Sequence, residues 1–277
     1  MPRAGSSRRD RAVEGAAAIA AVGVAVGAGV VASRRLITRQ ARIARERIGK
    51  PLGELAIDAD RVWRPGLAGQ PVDLAILGDS IAAGLGAERP KQTFGARLAK
   101  GLALRLGRPV RLRSVAVVGA ESRDLAGQLD RLELDRRPPH LAVIVVGGND
   151  VIHRASFRDA ANLLEAAVTR LIDAGAAVVV GTTPDLRALR PVPQPLRSLV
   201  GRQSWLLASA QGAAARRAGA SVVSLRRVVG RLFIDEPDAM FSIDRFHPSA
   251  LGYRRTADAM LPVLETAFRA RAAQAPR

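Results

Sequence analysis

The chain has 277 residues, 48% of them hydrophobic, which suits one globular domain with a sizeable core plus extra segments. It contains no cysteine, which excludes a disulfide framework, a thiolate zinc site and a thiol nucleophile. The formal net charge is +18, yet only Lys50, Lys91 and Lys100 among the 43 basic residues are lysine, and aromatic residues make up 3%. An arginine- and alanine-heavy chain with few stacking platforms fits a GC-rich genome better than a nucleic-acid binder.

Residues 1–50 form a basic N-terminal segment with 11 basic and 3 acidic residues. Within it, an uncharged stretch runs from Gly15 to Ser33, after Arg8, Arg9 and Arg11 and before Arg34 and Arg35. It is just long enough to cross a bilayer as a helix, although its Ala and Gly content makes insertion weak. Three readings stand: a signal anchor, a signal peptide cleaved after Val30-Val31-Ala32, or a soluble Ala-rich helix. The heavier basic flank on the C-terminal side argues for retention of that side in the cytoplasm, against export. Membrane association or export is the expectation, with sidedness open. Residues 34–50 read as a basic helix whose apolar positions are Leu36, Ile37, Ile43 and Ile48, either lying on anionic lipid or forming a solvated stalk.

Residues 51–71 are linker-like, and the regular pattern of the main domain occupies 72–272, with a short tail at 273–277. Five apolar runs read as strands: Val72–Leu77, Val110–Val118, Leu141–Val146, Ala176–Gly181 and Ser221–Leu225. Their near-continuous hydrophobicity suits parallel strands buried on both faces. Helices are expected over Gln92–Leu106, Ser122–Leu132 (Ser122 as N-cap), Ser156–Ala174 (Ser156 as N-cap, Asp159 three residues on), Arg197–Ala218 and Pro248–Ala272 (Pro248 in the first turn). Alternating β and α implies right-handed crossovers and a three-layer α/β/α sandwich around a five-stranded parallel sheet. In such sheets ligands bind beyond the carboxyl ends of the strands at the topological switch point. With strand order 2-1-3-4-5, the residues after the first strand stand between those after the second and third.

Four islands follow in order: Gly78-Asp79-Ser80, Gly119, Gly147-Gly148-Asn149-Asp150, and Asp244-Arg245-Phe246-His247. Each alone reads as an ordinary turn. Together they hold the parts of acyl transfer. Ser80 is a nucleophile in a tight strand-to-helix turn that Gly78 permits. The Ser80 N–H, the Gly119 N–H and the Asn149 amide are candidate donors to a developing oxyanion, with Gly119 expected to remove a Cβ that would crowd the substrate. Asp79 is expected to hold neighbouring N–H groups. His247 is the base candidate, with Asp244 three residues earlier to orient it. His140 reads as a loop residue. His153 is a possible substrate contact, weakened by the lack of a carboxylate at comparable spacing. Phe246 and Trp205 are possible acyl-pocket residues or core. The stretch Thr182–Leu199, rich in Pro and Arg, is a lid, a basic rim for anionic substrates, or a plain connection.

These blocks, LGDSIAAGLGA, VVGAESRDL, GGND and DRFHPS, resemble those of the SGNH hydrolases, the GDSL esterase/lipase family. The resemblance spans roughly residues 72–268 and departs at Ile81, where the family name implies Leu. It implies a flavodoxin-like fold and hydrolysis of carboxylic esters without a metal or other cofactor. Ser80, Asp244 and His247 would be catalytic, and Ser80, Gly119 and Asn149 would form an oxyanion hole. The substrate is expected to be a short-to-medium acyl ester or a lysophospholipid-like lipid. A carbohydrate or cell-wall O-acetylesterase and a non-catalytic lipid- or anion-binding module are the rivals.

Overall fold

A computed structural model of the protein describes residues 31–274. The stretch from Gly15 to Val30 and residues 275–277 of the expected tail therefore lie outside the described residues. Among the described residues, no helix is long and apolar enough to cross a membrane.

The central sheet has six strands, not the expected five. They are β1 (Val62–Trp63), β2 (Val72–Gly78), β3 (Val110–Ser114), β4 (Leu141–Val145), β5 (Ala177–Gly181) and β6 (Ser221–Val223), in the order β1-β3-β2-β4-β5-β6. The five parallel strands follow the expected order. The sixth, β1, comes from the linker-like stretch and pairs antiparallel with β3. Two residues carry too little periodicity to announce a strand.

Side chains alternate across the sheet because the strand period is two. Leu74, Ile76, Val143 and Val179 face one core, and Ala75, Leu77, Ile144 and Val180 face the other. The first core is closed by α3 (Phe94–Leu106) and α11 (Ala250–Gln274), and the second by α4 (Leu125–Asp130), α6 (Phe157–Asp173) and the end of α7 (Leu196–Arg217). That is the three-layer sandwich.

Helix starts match the expectation where the cap is local and shift where it is not. Ser156 caps α6, accepting from the Asp159 N–H at 3.3 Å. Ser122 does not cap its helix. Glu121 takes that place in a capping box with Asp124, and Ser122 opens a 3-10 turn. Thr93 caps α3, accepting from the Ala96 N–H. Pro248 is not in the first turn of α11. It forms an isolated bridge with Phe241, and Ser249 accepts from the N–H groups of Leu251 and Gly252 at 3.2 and 3.1 Å.

Residues 31–48 form a helix, α1, that is neither a free stalk nor wholly exposed. Gln40 and Ala44 are buried, and Ile37, Ile43 and Ile48 half-buried, whereas Leu36 is exposed. Ala44 packs with Leu186, Leu189 and Val192. The Gln40 side chain donates to the Gln194 carbonyl and accepts from the Leu196 N–H, and Arg47 donates to the Pro191 carbonyl. The helix thus docks onto the connection that follows β5.

Candidate active site

Ser80 opens α2 (Ser80–Ala83), directly after β2. The turn is sharp because Gly78 has φ 132° and a Cβ there would lie 1.8 Å from the Val145 carbonyl oxygen. No side chain fits that approach between β2 and β4. The buried amide of Gln128 completes the strand end, accepting from the Gly78 N–H at 2.7 Å and donating to the Gly78 carbonyl at 2.8 Å. Asp79 caps α2 by accepting from the Ile81 N–H at 3.0 Å, as expected of a structural carboxylate. Its burial pushes its pKa up to about 6, against the pull of that N–H and of His247. Ser80 is a first-turn residue, so its own N–H has no intrahelical acceptor.

β6 lies at the sheet edge, away from β2. Three short helices carry the chain back: α8 (Leu225–Val228), α9 (Gly230–Asp235) and α10 (Pro237–Met240). The Asp244–His247 turn then meets Ser80. The Ser80 hydroxyl lies 2.9 Å from His247 Nε2, and His247 Nδ1 lies 2.6 Å from Asp244 Oδ2. Asp244 Oδ1 accepts from the N–H groups of Phe246 and His247, both at 3.0 Å. Burial alone would raise the Asp244 pKa, but the His247 ring and these two N–H groups outweigh it and hold the carboxyl below its usual range. An ionised Asp244 requires the proton on Nδ1, which leaves the Nε2 lone pair facing the Ser80 O–H. The arrangement can take a proton from Ser80 and stabilise the resulting imidazolium.

The turn that holds Gly119 is stapled to α5 (Gly148–Ile152) and its C-cap residue His153 at three points. Asn149 Nδ2 donates to the Ala120 carbonyl at 3.0 Å. Asp150 accepts from the Ser122 N–H with both oxygens at 3.1 Å. His153 Nδ1 donates to Glu121 Oε1 at 2.7 Å. Burial raises the Asp150 pKa, and Ser122 opposes the rise. Gly119 has φ 85°, and nothing lies within 4 Å of a Cβ built there. The demand for glycine is thus set by the backbone angle rather than by crowding within the protein. Asn149 spends one amide proton on Ala120 and keeps the other.

An apolar pocket, narrow at about 70 Å³, begins at Ser80 and Asn149 and is walled by Ile81, Leu186, Leu189, Phe233, Phe241 and Phe246. Phe246 also stands edge-on to the His247 ring, with centroids 4.8 Å apart. Trp205 does not join this wall. It is 49% exposed on α7. The Thr182–Leu199 stretch supplies Leu186 and Leu189 to the pocket through the turn around Leu186–Ala188.

The other two histidines separate. His140 precedes β4 and accepts from the Asp73 N–H at 2.9 Å, and burial together with nearby Arg271 lowers its pKa. His153 does have a carboxylate, but Glu121 lies 32 residues away in sequence, so spacing could not reveal it. Asp150, Glu121 and Gln128 were missed at the sequence level for the same reason. The sole signal was that Asp150 follows Asn149 and Glu121 follows Gly119 by two.

Residues 76–255 match the GDSL-like Lipase/Acylhydrolase family. The chain is 37% identical over 279 residues to the GDSL-like esterase Rv1075c of Mycobacterium tuberculosis, covering 97% of this chain and 85% of that protein. Among solved structures, TesA is similar with a TM-score of 0.53 and 27% identity, over 70% of this chain and 99% of that one. Axe2, an acetylxylan esterase from Geobacillus stearothermophilus, shares the fold with a TM-score of 0.53 and 19% identity, over 71% and 95% of the two chains.

Proposed function

The chain belongs to the GDSL-like lipase/acylhydrolase family and is a carboxylic ester hydrolase, and on that premise we propose that Ser80, His247 and Asp244 carry a two-step acyl transfer. The observation that bears the proposal is the unbroken path of hydrogen bonds from Ser80 Oγ through the imidazole to Asp244, at 2.9 and 2.6 Å. Ser80 attacks the ester carbonyl while Nε2 takes its proton. The imidazolium then gives that proton to the leaving alkoxide as the acyl-enzyme forms. Water enters, His247 again acts as base, and the acid departs. Asp244 keeps the ring in the required tautomer throughout.

The Ser80 N–H, the Gly119 N–H and the free proton of Asn149 are the proposed oxyanion donors. Such donors act because they are already oriented when charge develops, and each is worth about 2.7–4 kcal/mol. The staple between the Gly119 turn and α5 supplies that orientation. The narrow apolar pocket supports a small acyl group, which keeps both a short-chain ester and an O-acetylated carbohydrate as substrate classes. Phe246, in the pocket wall, and His153, held by Glu121, are the proposed substrate contacts. The basic α1, docked beside the pocket wall, supports a reading in which the N-terminal segment holds the enzyme at a membrane. Flotation of the full chain with anionic vesicles, and its loss on removal of residues 1–30, tests that placement.

The assay for the reaction is hydrolysis of p-nitrophenyl acetate by the full chain, with mass spectrometry of the trapped acyl-enzyme. Ser80→Ala is expected to abolish both turnover and the acyl adduct. Full activity in that variant sinks the assignment.

A further inference from the structure

Beside the apolar pocket lies a second, larger cavity of about 740 Å³, and the two share Asp185, Ala188 and Gly230. Five arginines line it: Arg187, Arg190, Arg197, Arg226 and Arg231. Asp185 is the one carboxylate among its lining residues. The charges do not cancel. Arg231 pairs with Asp235 at 2.6 Å. Arg187 and Arg226 share the single Asp185, at 2.7 and 3.6 Å. Arg190 reaches only a neutral partner, the Ile234 carbonyl at 3.2 Å. Arg197 has no ion pair among the described residues.

The cavity is built rather than merely basic. The Asp185 side chain is 2% exposed and grips Arg187 with two parallel bonds, Nε to Oδ1 at 3.0 Å and Nη2 to Oδ2 at 2.7 Å. Burial raises the Asp185 pKa, but Arg187 and Arg226 outweigh this and keep it ionised. The Arg187 stem occupies a notch at Gly201 within α7, where a Cβ would lie 2.0 Å from Arg187 Cγ. Glycine is a poor helix former, and here its missing side chain makes room for the arginine. Arg187 is thus anchored in the wall, while Arg190 and Arg197 keep guanidinium donors free of carboxylates among the described residues, and such donors match the geometry of phosphate oxygens.

We propose that this cavity is a subsite for a phosphate group carried by the ester substrate, whose acyl group occupies the apolar pocket; this rests on the esterase reading above. The test compares 1-butanoylglycerol with 1-butanoylglycerol 3-phosphate, using the full chain and an Arg190→Gln/Arg197→Gln variant. The expected result is a preference of at least tenfold in kcat/KM for the phosphorylated ester at low salt, expressed mainly in KM. In the variant the preference should fall below threefold, and in the wild type it should shrink with added salt. The readout is a ratio of two esters, so a general loss of activity cancels, and an unchanged Tm shows the variant folded.

Calorimetric titration with inorganic phosphate separates the sources of the anion. Phosphate that binds the wild type and not the variant, while both esters are hydrolysed equally, overturns the substrate assignment in favour of a free anion. Equal turnover with no phosphate binding overturns the subsite altogether. Hydrolysis of p-nitrophenyl acetate that survives Ser80→Ala would instead overturn the esterase reading, leaving the calorimetry unaffected.

Discussion

Replacing Asp244 by Asn should leave the fold intact and remove nearly all turnover. Oδ1 of Asp244 accepts from two backbone N–H groups, and Oδ2 accepts from the ring. An asparagine can place its oxygen toward the backbone or toward His247. Facing the ring, it would set its NH₂ against two N–H donors and lose two hydrogen bonds of about 1 kcal/mol each. It therefore keeps its oxygen on the backbone and presents NH₂ to Nδ1. His247 must then accept at Nδ1 and carry its proton on Nε2, where it cannot take the Ser80 proton. The same exchange in serine-protease triads costs about 10⁴ in kcat, close to 5.5 kcal/mol at 1.36 kcal/mol per decade. Steady-state hydrolysis of p-nitrophenyl acetate reads this directly, with urea unfolding as the control for stability. A kcat within tenfold of the wild type, in a folded variant, would refute the reasoning.

Other outcomes follow from the same contacts. Asp150→Ala strips the Ser122 N–H of its acceptor and loosens the Gly119 turn, so kcat should fall by about 10² with KM little changed, as loss of an oxyanion donor would give. Gly119→Ala must hold φ near 85°, and a strain of about 1 kcal/mol should appear in unfolding midpoints together with a lower kcat. Asp79 has a raised pKa of about 6 in the folded protein against 3.8 unfolded. Its contribution to stability is thus fully present below about pH 4 and is lost as pH rises through 6, by about 3 kcal/mol. Asp60 shifts in the same window, to about 6, but is exposed to solvent, which screens its contribution, so Asp79→Asn should flatten most, not all, of the decline between pH 4 and 7 in urea titrations. Deleting residues 1–48 uncovers the Leu186, Leu189 and Val192 patch that Ala44 covers; three half-buried isoleucines suggest about 3 kcal/mol and a Tm lower by roughly 6–12 °C, measurable by calorimetry.

The features legible in the chain were those written in short segments. Continuous Val, Ile and Leu runs announced buried parallel strands, and the expected order of the five appears in β3-β2-β4-β5-β6. Ser80, and Asp244 with His247, were legible because each lies in one tight turn whose residue types carry chemistry. Ser156 was legible as a cap because its partner is three residues away. What escaped was pairing over distance, or too short to have a period. β1 has two residues and exists by leaning on β3. Glu121 displaced Ser122 as a cap because it also meets His153 and Asp124.

By itself, then, the sequence determined the fold class and the candidate groups for chemistry, since both are encoded in local period and residue type. The tertiary structure alone decided which of those groups meet. β6 ends at the sheet edge, and only the packing of α8 to α10 returns His247 to within 2.9 Å of Ser80. It alone turned the basic α1 into a docked helix and gathered arginines from 187 to 231 around one cavity. These are contacts between segments far apart in the chain, set by shape and burial across the whole molecule, and no window of sequence contains them.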